Sequence, residues 1–97
     1  MTRYTATAIV NKGICVGMRD LSLISDIVKR YPEHDVRITI GGTMVNPRNI
    51  FSLSRLLNEF PAAGKQVEIE VDSGKGGYEK LADELKRYFE NGRKGDA

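Results

Sequence analysis

One cysteine lies in a glycine-containing loop that could support nucleophilic chemistry. Cys15 stands between Gly13 and Gly17, and Arg19 follows near the start of the next predicted helix. A helix N-terminus presents unpaired backbone amides and the positive end of the helix dipole, which favour anions and thiolates. Cys15 is therefore a candidate nucleophile or phosphoryl acceptor, assisted by Arg19, provided that its thiol is exposed. The alternative is a small buried hydrophobic residue, as free cysteines commonly are.

Composition restricts the classes of function. The chain has 97 residues, a formal net charge of +2, one cysteine and one histidine, His34. The near balance of charges gives no nucleic-acid footprint, and a single cysteine excludes an internal disulfide and suits the cytoplasm. We expect no cofactor and no metal site, because His34 has no cysteine or histidine neighbours. No segment has the pattern of a signal peptide or a membrane anchor.

Apolar spacing predicts four strands and three helices in one domain that spans residues 1–97. Alternating side chains indicate strands at 3–10, 36–40, 43–45 and 66–72. Apolar residues at helical spacing indicate helices at 21–31, 47–60 and 78–89. Gly41-Gly42 predicts a hairpin between the second and third strands, because both glycines can take positive φ. Residues 93–97 are expected to form a disordered tail.

Capping residues set the expected helix boundaries. Asp20 is predicted to cap the first helix, which ends before a proline. Asn46 is predicted to cap the second helix, with Pro47 at its first position, where the missing amide costs nothing. The apolar stripe of that helix consists of Ile50, Leu53, Leu57 and Phe60. Phe51 and Leu56 lie beside the stripe, so we expect an exposed position among them.

This order of elements favours an α+β open-faced sandwich. It is the split βαβ arrangement, with three helices on one face of a four-stranded antiparallel sheet. Right-handed crossovers place the fourth strand between the first and second, in spatial order 1-4-2-3. Arg37 should then lie opposite Glu68 or Glu70. Residues whose positions agree in phase should form one core: Leu21, Ile24, Val28, Ile38, Leu53, Leu57, Val67, Ile69, Leu81 and Leu85.

Three short motifs occur in order along residues 4–89. They are Asn11-Lys12-Gly13-Ile14, residues 45–51 (Val-Asn-Pro-Arg-Asn-Ile-Phe) and residues 63–69 (Ala-Gly-Lys-Gln-Val-Glu-Ile). They resemble, in turn, the end of the first strand, the second signature and the approach to the last strand in the HPr phosphocarrier family of the bacterial phosphotransferase system. The resemblance implies the HPr-like fold and a phosphocarrier or a partner-binding protein, not an enzyme.

Two positions that are phosphorylated in the family differ in this chain. Cys15 stands where the family has its phosphorylated histidine, and Asn49, which has no hydroxyl, stands where it has a regulatory serine. The family's arginine falls on Gly17 without a gap, or on Arg19 after two inserted residues. The resemblance thus implies an altered active centre and no regulation by phosphorylation of a serine at position 49.

Two interpretations stay open. In the first, the protein is a non-catalytic regulatory or docking relative within the phosphotransferase system, which keeps the docking surface but carries no phosphate. In the second, Cys15 is the phosphoryl carrier, as a cysteine is in the B domains of sugar permeases, with Arg19 stabilising the phosphate. A thiol-based sensor is a further alternative. The partners would be proteins, namely phosphotransferase components, a regulated enzyme or a transcription factor, without nucleic acid or membrane.

The predicted docking surface surrounds the cysteine loop. By resemblance it consists of Gly13, Gly17, Met18, Asn49, Ile50 and Phe51. Phe51 lies about 100° around the helix from Ile50, and an exposed aromatic beside a helix N-terminus is typical of a binding anchor. The alternative is that Phe51 packs under the Gly17 loop.

Overall fold

A computed structural model of the protein describes residues 3–10, 18–59, 64–74 and 76–91. Its elements are β1 (Arg3–Ile9), α1 (Met18–Lys29), β2 (Val36–Ile40), β3 (Thr43–Val45), α2 (Ile50–Leu53), a 3-10 helix (Ser54–Glu59), β4 (Gln66–Asp72) and α3 (Tyr78–Asn91). The predicted order of strands and helices is confirmed. The expected tail at residues 93–97 lies outside the described residues.

The four strands form one antiparallel sheet in the order β1-β4-β2-β3, as predicted. β4 is central because it pairs with β1 along its whole length and with β2 on its other side. Arg37 lies directly opposite Glu70, which confirms the predicted neighbourhood of β2 and β4. Arg3 of β1 forms an ion pair with the same carboxylate, at 3.6 Å.

The hairpin between β2 and β3 turns at two glycines. Gly41 has φ 57° and Gly42 has φ 86°, which are values that favour glycine and are typical of two-residue hairpin turns. The turn sets the register that places Ile40 opposite Thr43. β3 is therefore held as a short edge strand beside β2.

The helices cover one face of the sheet, and the core lies between them. Every predicted core residue whose side chain is described has no exposed surface: Leu21, Ile24, Val28, Ile38, Leu53, Val67, Ile69, Leu81 and Leu85. Leu57 and Phe60 fall outside the described side chains. On β4 the apolar residues alternate with exposed or half-buried polar ones, so no described helix covers the second face of the sheet.

The first helix begins earlier than predicted. α1 starts at Met18, so Asp20 is a residue of its first turn and not the N-cap. Aspartate is also favoured in the first turn, where it meets the positive end of the helix dipole, and this is why the two positions are hard to separate by sequence. The helix ends at Lys29, because a residue before proline, here Tyr31, disfavours helical geometry.

The second helix differs from its prediction in both start and type. Pro47 lies in a turn, and α2 begins three residues later at Ile50. After Leu53 the chain tightens into the 3-10 helix, in which side chains three residues apart lie on one face. Leu56 therefore follows Leu53 into the core and is fully buried. The expectation that Leu56 lies beside the buried stripe is wrong for this reason.

No helix in the described ranges is both long and apolar enough to cross a membrane.

Candidate docking site

The turn before α2 is built by two asparagine side chains. Asn46 Oδ1 accepts a hydrogen bond from the Arg48 amide at 3.0 Å, and the Asn49 amide donates to the Asn46 carbonyl at 3.1 Å. Asn49 Oδ1 then accepts from the amides of Phe51 at 2.9 Å and Ser52 at 3.4 Å. These are the bonds of an N-cap, so the cap is Asn49, and the prediction that Asn46 caps this helix is wrong.

Phe51 projects from this capped start of α2. It is 83% exposed, the largest exposure among the described large hydrophobic residues. The described residues leave this ring largely uncovered, whereas the Gly17 loop under which the alternative places it lies outside them. The Phe51 backbone is fixed on both sides, because its amide donates to Asn49 and its carbonyl accepts from the Ser54 hydroxyl at 2.7 Å. An aromatic ring on a rigid backbone loses little conformational entropy when a partner covers it.

Arg48 ties the turn to the end of α1. Its Nε donates to the His34 carbonyl at 3.0 Å and its Nη1 to the Val28 carbonyl at 3.2 Å, while Nη2 contacts the carbonyl oxygens of Tyr31 and His34. The last carbonyls of a helix lack partners within it and attract cations. One guanidinium therefore satisfies the end of α1 and fixes the orientation of the segment that carries Phe51.

His34 anchors the segment that follows α1. It is 5% exposed, with Nδ1 at 3.1 Å from the Asp72 carbonyl oxygen and Nε2 at 3.1 Å from the Gly76 carbonyl oxygen. A carbonyl oxygen only accepts, and a neutral imidazole has one N–H, so both bonds form together only when the ring carries two protons. The ring links the C-terminal end of β4 and the residue Gly76, just before α3, to the segment whose His34 carbonyl accepts a hydrogen bond from Arg48.

Tyr31 links the same corner to α3. Its hydroxyl donates a hydrogen bond to Glu84, which also pairs with Arg30 at 3.0 Å. The hydrogen bond to Glu84 raises the pKa of the Tyr31 phenol above its ordinary value of 10.0. Desolvation and the charge of Glu84 act in the same direction, and Arg30 opposes them. The phenol is therefore held in its protonated form.

The residues predicted for the site divide into two groups. Asn49 and Phe51 lie together at the start of α2, and Ile50 is the first residue of that helix. Met18 and Arg19 belong to the first turn of α1, with side chains outside the described set. Gly13, Cys15 and Gly17 lie outside the described residues, so the proposed chemistry of Cys15 stays a prediction. Among the side chains that are described, no group of three or more could hold a metal ion.

Sequence reasoning missed Arg48 and His34. The partners of Arg48 lie 14 to 20 residues away in the chain, and those of His34 lie 38 and 42 residues away. Periodicity and capping rules read only neighbouring residues, so no local signal pointed to either contact. A basic residue beside two turn-forming asparagines was the one available hint for Arg48.

Comparison with solved structures identifies the fold. The phosphocarrier protein HPr of Bacillus anthracis str. Ames matches with a TM-score of 0.74 at 18% identity, over 93% of this chain and 100% of that one. The histidine-containing phosphocarrier protein of Mycoplasma matches with a TM-score of 0.64 at 12% identity, over 88% of this chain and 92% of that one. No protein-family model and no curated protein matches the chain. At such low identities the likeness shows the HPr fold alone.

Proposed function

We propose that this protein is a regulatory or docking member of the bacterial phosphotransferase system that binds protein partners in the cytoplasm without carrying phosphate. The observation that carries the proposal is Phe51, an aromatic side chain that is 83% exposed on a backbone fixed by Asn49 and Ser54. Exposed aromatics on rigid elements are frequent binding hot spots. The HPr fold supports phosphotransferase components as the first class of partner to test, with a regulated enzyme or a transcription factor as further classes.

The proposed surface consists of Asn49, Ile50 and Phe51 together with Met18, Arg19 and the loop that contains Gly13, Cys15 and Gly17. Asn49 supports a role without regulation by phosphorylation at this position, because an amide has no hydroxyl to accept a phosphoryl group. Cys15 in place of the family's histidine supports the loss of the usual phosphoryl transfer. The carrier role of Cys15 remains the alternative, since a thiolate near Arg19 could also accept phosphate.

The test of docking is a binding titration with the first enzyme of the phosphotransferase system. Phe51→Ala should weaken binding at least tenfold, since hot-spot aromatics contribute about 2 kcal/mol or more. Its free energy of unfolding should change by less than about 0.5 kcal/mol, because the ring is exposed. Met44→Ala is the matched control, since Met44 is 52% exposed on β3, and it should leave binding unchanged. Equal losses in both variants would contradict a Phe51 anchor.

The test of phosphate transfer uses phosphoenolpyruvate, the same first enzyme and intact-mass measurement. We expect no phosphoryl adduct on the wild-type protein. The Cys15→Ser variant should bind the partner nearly as well as the wild type does. A phosphoryl adduct that forms on the wild type and disappears in Cys15→Ser would replace the docking role by the carrier role.

A further inference from the structure

Within the described residues, β1 has a free edge, and the backbone groups on this edge can be assigned. The Val10 amide donates to the Lys65 carbonyl at 2.9 Å, which continues the register of β1 and β4 by one pair. In an antiparallel pair, the backbone N–H and C=O groups of alternate residues bond to the neighbouring strand, and those of the residues between them point away from it. Tyr4, Ala6 and Ala8 therefore direct their amides and carbonyls at β4, while the outward groups are those of Arg3, Thr5, Thr7 and Ile9.

Among the residues that the structure describes, none gives this edge the usual protection of an edge strand. Natural edges are short, charged, interrupted by proline or covered. The opposite edge, β3, has three residues, whereas β1 has seven. The one charged residue of β1 is Arg3 at its end, and this side chain already pairs with Glu70. Within the described part of the chain, no backbone hydrogen bond reaches the outward groups of Thr5, Thr7 or Ile9.

A groove runs along this edge between β1 and α3. One part, of about 280 Å³, is lined by residues 4–7 together with Ala82, Asp83 and Lys86. The next part, of about 230 Å³, is lined by residues 7–9 together with Gln66 and Glu90. Thr7 lines both parts, so the two adjoin at this residue. The groove is long enough for an extended segment of about five residues.

The charges near the groove favour a basic occupant. Glu90 lines the groove at its Ile9 end, and Glu68 lies on the face of the sheet that no described helix covers, directly opposite Thr7. The other register neighbour of Glu68 is Thr39, so its two cross-strand neighbours are both uncharged. Asp83, by contrast, is already paired with Arg87 at 3.0 Å. Lys86 lines the part of the groove beside residues 4–7, so the acidic end of the groove is the one at Ile9. Two acidic side chains thus flank the edge at Thr7, one on each face of the sheet.

We propose that the free edge of β1 binds an extended, basic segment of a partner protein as a fifth strand. Main-chain hydrogen bonds to Thr5, Thr7 and Ile9 supply affinity, and lysine or arginine side chains beside Glu68 and Glu90 supply specificity. A second copy of this chain is the competing occupant, and the experiment below separates it from a partner segment. The inference goes beyond the proposed docking by Phe51 and does not depend on it.

The probe is a random twelve-residue peptide library displayed on phage and selected on the full-length protein. We expect enriched peptides to alternate in a strand pattern and to carry lysine or arginine. Thr7→Pro removes one outward amide and leaves the hydrogen bonds to β4 intact. It should therefore lower the affinity for the selected peptides at least tenfold. Thr7→Val, which keeps the amide, should bind within twofold of wild type. Glu68→Lys provides a second variant with an intact backbone, and it too should weaken binding.

Amide hydrogen exchange locates the contact. Saturating peptide should slow exchange at least tenfold at Thr5, Thr7 and Ile9, and Phe51→Ala should leave this protection unchanged. Peptides that tolerate both Thr7→Pro and Glu68→Lys would overturn the proposal. So would protection that rises with protein concentration without peptide, which would assign the edge to a second copy. Protection without peptide that disappears when residues 92–97 are removed would assign it to the chain's own C-terminal segment.

Discussion

Asn49 combines two chemical properties at one position. Its side-chain oxygen caps α2 through the amides of Phe51 and Ser52, and its amide group offers no site for phosphorylation. Serine and asparagine are about equally good N-caps. Replacing one by the other therefore changes the modification chemistry while the cap and the presentation of Phe51 are kept. Asparagine and serine at this position are therefore equivalent for folding and differ in modification chemistry.

The wrong choice of cap has a local origin. Asn46 and Asn49 are both capping residues, and Pro47 suits the first helical position, so both starts satisfied the sequence rules. The contacts of Arg48 with the end of α1 require the segment between the asparagines to be a turn. Tertiary contacts thus decided between two local solutions that sequence rules could not separate.

Tyr31 predicts an alkaline dependence of stability. Its hydrogen bond to Glu84 raises the pKa of the phenol in the folded protein above 10.0, so the native state holds this proton more tightly than the unfolded state. The resulting stabilisation is complete below about pH 10 and is lost as pH rises through the native pKa. Urea unfolding between pH 8 and pH 11 should show a steeper decline for wild type than for Tyr31→Phe.

The control for this prediction is Tyr4→Phe. Tyr4 is 40% exposed and lies against Tyr78 at 5.5 Å between ring centroids. Removal of its hydroxyl should leave the free energy of unfolding declining with pH as in the wild type. Parallel declines in wild type and Tyr31→Phe would show that the contact with Glu84 does not contribute to the pH dependence.

At the scale of elements, periodicity predicted the strands better than the second helix. In a strand with one buried face, apolar and polar residues alternate, and β4 keeps this alternation over all seven of its residues. The second helix has four α-helical residues followed by six in 3-10 geometry. A stripe counted at 3.6 residues per turn loses phase within such a segment. The sequence rule assigned Leu56 to the wrong face because the helix changes from 3.6 to 3.0 residues per turn after Leu53.

The change of period has a measurable consequence for stability. Leu56→Ala should lower the free energy of unfolding by about 2 to 5 kcal/mol, because the side chain is fully buried. Arg55→Ala, one residue earlier and exposed, should change it by less than about 0.5 kcal/mol. Chemical denaturation of both variants checks the pair. A loss below about 1 kcal/mol for Leu56→Ala would be inconsistent with the 3-10 face described here.

At the scale of the whole molecule, the topology was predictable for two physical reasons. The glycine pair Gly41-Gly42 requires β2 and β3 to be antiparallel neighbours, and the handedness of crossovers limits where β4 can enter. The contacts of His34 and Arg48 were not predictable, because they form only after distant segments have met. The role of Cys15 remains a prediction from sequence. For Asn49 and Phe51 the structure gives the hydrogen bonds of the cap and the exposure of the ring.

The central place of β4 has a consequence for synthesis on the ribosome. β1 emerges first, yet both of its edges stay unpaired until residues 66–72 have left the exit tunnel, because β4 is its one neighbour among the described strands. Chains stalled before residue 66 should therefore be digested quickly by a protease, and chains released after α3 should resist. Early protection in the shorter chains would contradict this. The nascent chain thus depends on late-made residues, and its first strand stays unpaired for most of its translation.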